Sequence, residues 1–355
     1  MSAPGSPTRV DWLAGLSPWP SDGFGVERML VVLGELGDPQ GRFDAIHVVG
    51  TNGKSTATRT IEALLLAEGL SVGATVSPHV RSWAERITID GDEVDLEAAL
   101  GRVEEVARRH GATQFETITA AAFASFAAAG IDVAVVEAGL GGRHDATNVL
   151  RARVVLLTSV GLEHTEVLGD TLEAIAAEKL AVAPPRSVVV LPELRFAHLV
   201  AEGCDVRLGG AREAAAAWLG RAPGATPEVS LPGRLERRPT EVRDGAHNPD
   251  GVRWLVEQLH PGSYVICASI LEDKDVDAML GELASLGETF VATRSSNPRA
   301  LAADVLVGLA RSHFSHVESV TEPLAAVERA HALGSPVLVT GSLYLLMDLA
   351  KADDE

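Results

Sequence analysis

Two cysteines in 355 residues, Cys204 and Cys267, cannot build a disulfide framework, which fits a reducing compartment. Aromatic residues make up only 4 %, against 46 % apolar overall, a soluble globular composition long enough for two domains and a sizeable core. No long hydrophobic run is present. The least polar stretch, Thr119 to Val136, is mostly Ala and is broken by Gly130 and Asp132, so it reads as a helix followed by a buried strand rather than a membrane span. The N-terminal stretch MSAPGSPTRVDWLAGLSPWP holds no apolar core of signal-peptide length. A cytoplasmic protein with no membrane partner is expected. Positive charge is short as well: 30 Lys plus Arg face 49 Asp plus Glu, a net charge of −19. That excludes a broad nucleic-acid or anionic-membrane surface, because phosphate contacts need a basic face. A small anionic substrate in a local basic pocket stays open. Lysine is the scarcest cation, present only as Lys54, Lys179, Lys274 and Lys351. Arg serves elsewhere, so a Lys marks a candidate position for a primary amine.

Short β-branched runs alternate with Ala- and Leu-rich helical stretches. Strands are expected at Ala45–Val49, Val72–Val76, Val133–Glu137, Val154–Thr158 and Val188–Leu191, with helices at Thr56–Glu68, Leu96–His110, Ile118–Ala129 and Thr171–Val182. Such alternation predicts an α/β fold with a mostly parallel sheet covered on both faces. From Arg221 to Pro239 the composition shifts to Pro, Gly and Arg, the signature of a linker. Strands resume near Tyr264–Ala268, Thr289–Ala292 and Val337–Thr340, so two acidic α/β domains are the simplest reading.

The most specific local pattern is Gly50-Thr51-Asn52-Gly53-Lys54-Ser55-Thr56, placed after a strand and before a helix. A Gly-rich turn exposes backbone N–H groups, and the helix presents its positive dipole end to the same point, which together cradle phosphates. Lys54 is positioned to reach the β- and γ-phosphates, and Ser55 or Thr56 to touch Mg²⁺. The first glycine of the longer P-loop pattern is replaced by Val48, leaving G-x-x-G-K-[ST]. Three strand tips add to this loop: Ser77 in Ser77-Pro78-His79, Glu137 before Gly139-Leu140-Gly141-Gly142, and His164 after Leu162-Glu163. Strand C-termini converge on the ligand crevice of an open α/β sheet. Ser77, Glu137 and His164 are therefore expected to meet beside the loop as oxygen and imidazole ligands of a hard divalent ion. Two of them also have a structural alternative, His164 as a hydrogen-bonded residue and Glu137 as an ordinary acid at the end of a buried strand.

The motifs HVVGTNGKST, SPHV…ERITIDG, FETITAAAF, VVEAGLGGRHDATN, TSVGLEHTEVLGDTLEAIAAEK, PGRLE, DGAHNPDG and GSLYL stand in order over nearly the whole chain. In this the chain resembles the dihydrofolate synthase/folylpolyglutamate synthase group of the Mur ligase superfamily. The resemblance implies an N-terminal P-loop ATPase domain over residues 1–233 and a smaller Rossmann-like glutamate-ligase domain over residues 234–355. It implies ATP-dependent amide-bond formation with release of ADP and phosphate, two Mg²⁺ sites, small-molecule partners and a monomer. By the same resemblance Ser77, Glu137 and His164 match magnesium ligands, and Lys54, His164 and Lys179 form the catalytic set. Lys179 matches a lysine that is carbamylated, a reaction open to an amine and closed to a guanidinium. Arg234, Asp244 and His247 match nucleotide contacts, although a turn and helix cap explain DGAHNP equally well. Gly25, Val26, Arg28, Phe115, Asp145 and Ala146 match the pterin site, where Phe115 has a core alternative and an acidic residue is displaced to Asp22. The Ser55–Thr56 ending of the loop is nearer the peptidoglycan ligases of the superfamily, which makes such a ligase the nearest rival. A P-loop kinase or NTPase of another class is the more distant one.

Overall fold

The computed structural model describes residues 8–20 and 23–353; Asp22 lies outside the described residues. The chain divides into two compact units between Val229 and Ser230.

The first unit is built on strands β1 (Asp44–Val49), β2 (Val72–Thr75), β3 (Ile87–Ile89), β4 (Asp92–Glu93), β5 (Val133–Glu137), β6 (Val154–Leu157), β7 (Val188–Leu191) and β8 (Asp205–Leu208). They lie in the order β4-β3-β2-β5-β1-β6-β7-β8. Pairing is parallel except where β3 runs antiparallel to β2 and to β4. The β-branched runs form central strands because both of their faces are buried. In β1, Ala45 and Val49 face a layer containing Phe123 and Phe126, while Ile46 and Val48 face one containing Ile61 and Leu65. β5 and β6 alternate in the same way, so helices cover both sides of the sheet. The helix Gln114–Ala129 opens on Thr113, whose hydroxyl accepts from Glu116 N while the Glu116 carboxylate accepts from Thr113 N, and closes at Gly130.

One expected helix is corrected. Leu96–His110 is two helices, Leu96–Gly101 and Glu104–His110. Gly101 is a weak helix former, and Val103 gives up helical dihedrals (φ −123°, ψ −14°) where its side chain is wholly buried.

The second unit carries β9 (Glu236–Arg237), β10 (Glu241–Arg243), β11 (Val265–Ala268), β12 (Thr289–Ala292), β13 (His316–Ser319) and β14 (Val337–Thr340) in the order β13-β12-β11-β14-β10-β9. Only the β9–β10 pairing is antiparallel. This sheet has its own core, centred on Ile266, Phe290, Leu280 and Leu338. Among the described residues no helix is long and apolar enough to cross a membrane.

Candidate active site

β2, β5, β1 and β6 are neighbours in that order, and all four run parallel. The loops that leave their C-terminal ends therefore lie side by side, although more than a hundred residues separate the ends of β1 and β6 in the chain. After β1 the segment Gly50–Gly53 turns into the helix Lys54–Leu66, with Gly53 as its N-cap at φ +82°, where a side chain would be strained. The tip of β6 braces this turn. Thr51 N donates to Ser159 O (3.0 Å), Asn52 N donates to Ser159 Oγ (2.8 Å), and Thr158 Oγ1 donates to Asn52 O (2.7 Å). Thr158 and Ser159 were missed in the sequence. The signal that finds them is the pairing of Val49 with Leu157, which no linear motif contains.

Both site lysines point at one atom. Lys54 Nζ donates to Gly50 O (3.1 Å) and Thr51 O (3.2 Å), and Lys179 Nζ donates to the same Gly50 O (2.9 Å). Lys179 comes from the helix Leu172–Leu180 and is only 4 % exposed. Burial pulls its pKa down from 10.5 to about 7; the Lys54 charge pushes the same way, and Glu163, Asp145 and Glu178 oppose it. The Gly139–Gly142 turn lets this helix come close, since a Cβ on Gly142 would lie 2.6 Å from Lys179 O.

Glu137 ends β5 as a buried carboxylate. Its Oε1 accepts from Ser55 Oγ (3.1 Å) and its Oε2 from Ser77 N (3.0 Å). The structure thus gathers Ser55, Ser77 and Glu137. Of the two hydroxyls left open by the sequence, Ser55 is buried toward the carboxylate and Thr56 is exposed. His164 sits beyond β6, on the other side of β1 from Glu137, in a left-handed conformation (φ 51°) with Nδ1 3.8 Å from Glu166. A buried carboxylate beside the Ser55 hydroxyl is hard oxygen chemistry that fits Mg²⁺. Among the described residues no three His, Cys, Asp or Glu side chains form a ready-made cation cage. An ion here would therefore complete its shell with phosphate oxygens and water.

A second cluster of expected residues lies around the start of the helix Gln114–Ala129. Gly25 and Val26 lead into the helix Glu27–Glu35, whose Arg28 Nη1 lies 3.2 Å from Glu116 Oε2, both side chains largely buried. The Phe115 ring lies over Gly139. Ala146 is buried, and so is Asp145, whose Oδ2 accepts from Leu140 N (2.8 Å) and Oδ1 from Thr147 N (2.9 Å). Burial raises the Asp145 pKa, with those hydrogen bonds opposing it.

In the second unit Asp244 accepts from Leu235 N (2.6 Å) and Ala246 N (2.8 Å), and burial raises its pKa against the nearby charges of Arg234 and His247. The three expected residues are therefore neighbours. The capping role for this motif also holds: Asn248 Oδ1 accepts from Gly251 N (2.8 Å) at the start of the helix Pro249–Glu257. Lys274 Nζ lies 3.6 Å from Asp273 Oδ2.

Comparison with known proteins bears on the family and the fold. Residues 48–185 match the family model of the Mur ligase middle domain, and residues 233–343 match that of the Mur ligase glutamate ligase domain. The chain is 32 % identical to the dihydrofolate synthase/folylpolyglutamate synthase of Mycobacterium tuberculosis over 377 residues, covering 81 % of this chain and 77 % of that one. Its structure is similar to that of Escherichia coli FolC in complex with DHPP and ADP, with a TM-score of 0.85 at 27 % identity over 98 % of this chain and 99 % of that one. It is also similar to a bifunctional folylpolyglutamate synthase/dihydrofolate synthase with Mn, AMPPNP and L-glutamate bound, with a TM-score of 0.86 at 27 % identity and 99 % coverage of each.

Proposed function

The chain belongs to the dihydrofolate synthase/folylpolyglutamate synthase family of Mur ligases, and we propose that it joins L-glutamate to dihydropteroate, to a reduced folate or to both, converting ATP to ADP and phosphate. The observation that carries this reading is the phosphate loop on which Lys54 and Lys179 converge, with Glu137 held against its Ser55. A carboxylate is a poor electrophile. One of its oxygens attacks the γ-phosphorus of ATP, the bond to the bridging oxygen breaks, and ADP leaves with that electron pair. The neutral amine of glutamate then attacks the acyl carbon of the resulting acyl phosphate, and phosphate departs as the amide forms. Most of the catalysis is positioning and charge neutralisation. The Gly50–Gly53 amides and Lys54 hold the phosphates. Arg234, Asp244 and His247 are assigned to the nucleotide as well. Ser77, Glu137 and His164 are assigned to two divalent-ion sites, whose ions would neutralise phosphate charge when bound. Lys179, buried with a depressed pKa, has the free amine needed to take up CO₂ as a carbamate and place a second ion.

Gly25, Val26, Arg28, Phe115, Asp145 and Ala146 are assigned to the pterin part of the acceptor. The peptidoglycan alternative raised by the Ser55–Thr56 ending is not carried forward, since the relatives described above are folate enzymes. We further propose that residues 1–233 and 234–355 serve as the ATP-binding and glutamate-ligase parts of a cytoplasmic monomer. The test is ADP release measured with dihydropteroate or tetrahydrofolate, with glutamate present or omitted. Release that needs both pterin and glutamate is the expected result, and release indifferent to either overturns the reading.

A further inference from the structure

His47 on β1 has no place in the chemistry just described, yet it is wholly buried beneath the site. Its Nε2 lies 2.8 Å from Thr147 Oγ1, and the Thr147 hydroxyl in turn bonds Asp145 Oδ1. Asp145 accepts at both oxygens, from Leu140 N and from Thr147 N, and its Oδ1 accepts the Thr147 hydroxyl as well. A hydroxyl has a single proton to give. Thr147 therefore donates to Asp145 and must itself accept, so His47 donates from Nε2–H. Burial keeps the imidazole neutral, with its pKa down at about 4, so Nδ1 carries no proton. That Nδ1 has no hydrogen-bond partner among the described residues. A buried acceptor left unpaired costs stability. The cost is incurred by a ring whose one polar bond runs toward Asp145.

We infer that His47 is a positioning residue for the acceptor substrate: through Thr147 it fixes the Asp145 carboxylate in the rotamer that meets the pterin. The chain of bonds runs from a central strand of the sheet to the loop that carries Asp145. The inference rests on the proposed assignment of Asp145 to the pterin. It adds the two residues behind it.

The test is steady-state ADP release by the full chain, with pterin substrate, ATP and glutamate varied in turn. Thr147→Val is expected to raise KM for the pterin substrate about tenfold, in line with losing a buried hydrogen bond, and to leave kcat and the other two KM values within about twofold. Thr147→Ser, which keeps the hydroxyl, restores the parent value. His47→Leu gives the same split and His47→Gln recovers it; if His47→Leu does not fold, the Thr147 pair decides alone. Ring ¹⁵N shifts of His47 in the parent chain report the proton on Nε2, a readout that needs no turnover. A proton on Nδ1, unchanged pterin KM in Thr147→Val, or an equal loss for all three substrates overturns the inference. A parent chain that shows no pterin-dependent ADP release instead overturns the ligase reading, and the inference falls with it.

Discussion

Lys179 joins scarcity, burial and chemistry in one side chain. Its folded pKa of about 7 lies far below the ordinary 10.5. Between those values the unfolded chain holds a proton that the folded chain has shed, so the Lys179 contribution to stability rises with pH across that window. The penalty is complete below about pH 7 and gone above about pH 10.5. Lys179→Met is accordingly expected to stabilise the fold most at pH 7 and below and least near pH 10, as read from urea unfolding; a pH-independent difference contradicts the assigned shift. Lys179→Arg tests the chemistry instead. It keeps a cation but cannot form a carbamate, so ADP release should fall on the order of 100-fold while the circular dichroism spectrum is unchanged. Turnover near the parent rate shows that no carbamate is needed. Lys54 was legible in the sequence from its Gly-rich loop, whereas the scarcity of lysine only hinted at Lys179 and the family resemblance singled it out. Their shared target was not legible, because a backbone carbonyl carries no residue signature.

At the scale of elements, an ion pair on the helix Lys54–Leu66 hydrogen-bonds to the segment that follows Ser77. Arg59 pairs with Glu62 (2.7 Å) and donates to Glu85 O (2.6 Å), while Thr88 Oγ1 on β3 donates to Glu62 Oε1 (2.5 Å). Arg59→Met leaves the buried Glu62 carboxylate without its cation. A loss of about 3–5 kcal/mol is expected in urea unfolding, as for other broken buried pairs, and a loss under about 1 kcal/mol refutes that role. Glu62→Gln on top of Arg59→Met should restore part of the loss, since an amide tolerates burial better than an unpaired charge. The strands and this helix were readable because hydrophobic period and turn residues agree there. β3, β4 and the helix break at Val103 were not, since they depend on what the rest of the sheet buries. The site followed the same rule. Ser77, Glu137 and the P-loop announced themselves as strand tips, whereas Thr158, Ser159, Thr147 and His47 gain meaning only from the order β5-β1-β6.

At the scale of the molecule, each unit has a closed apolar core of its own, and the stretch between the helix Ala211–Leu219 and β9 contains little regular structure. Limited proteolysis is expected to cut first within residues 220–232 and to release two fragments that each keep their circular dichroism. Arg212 Nη2 bonded to Pro223 O (2.6 Å) and Arg221 bonded to Glu68 (2.5 Å) place the earliest cuts after residue 226. First cleavage inside either sheet contradicts this division. The carbonyl of Gly50 has a consequence for what the protein admits. With two amine heads already seated on it, the loop is a socket closed by its own plug. An incoming polyphosphate has to offer Lys54 oxygens that replace the carbonyls of Gly50 and Thr51, so the loop exchanges one set of acceptors for another when it fills.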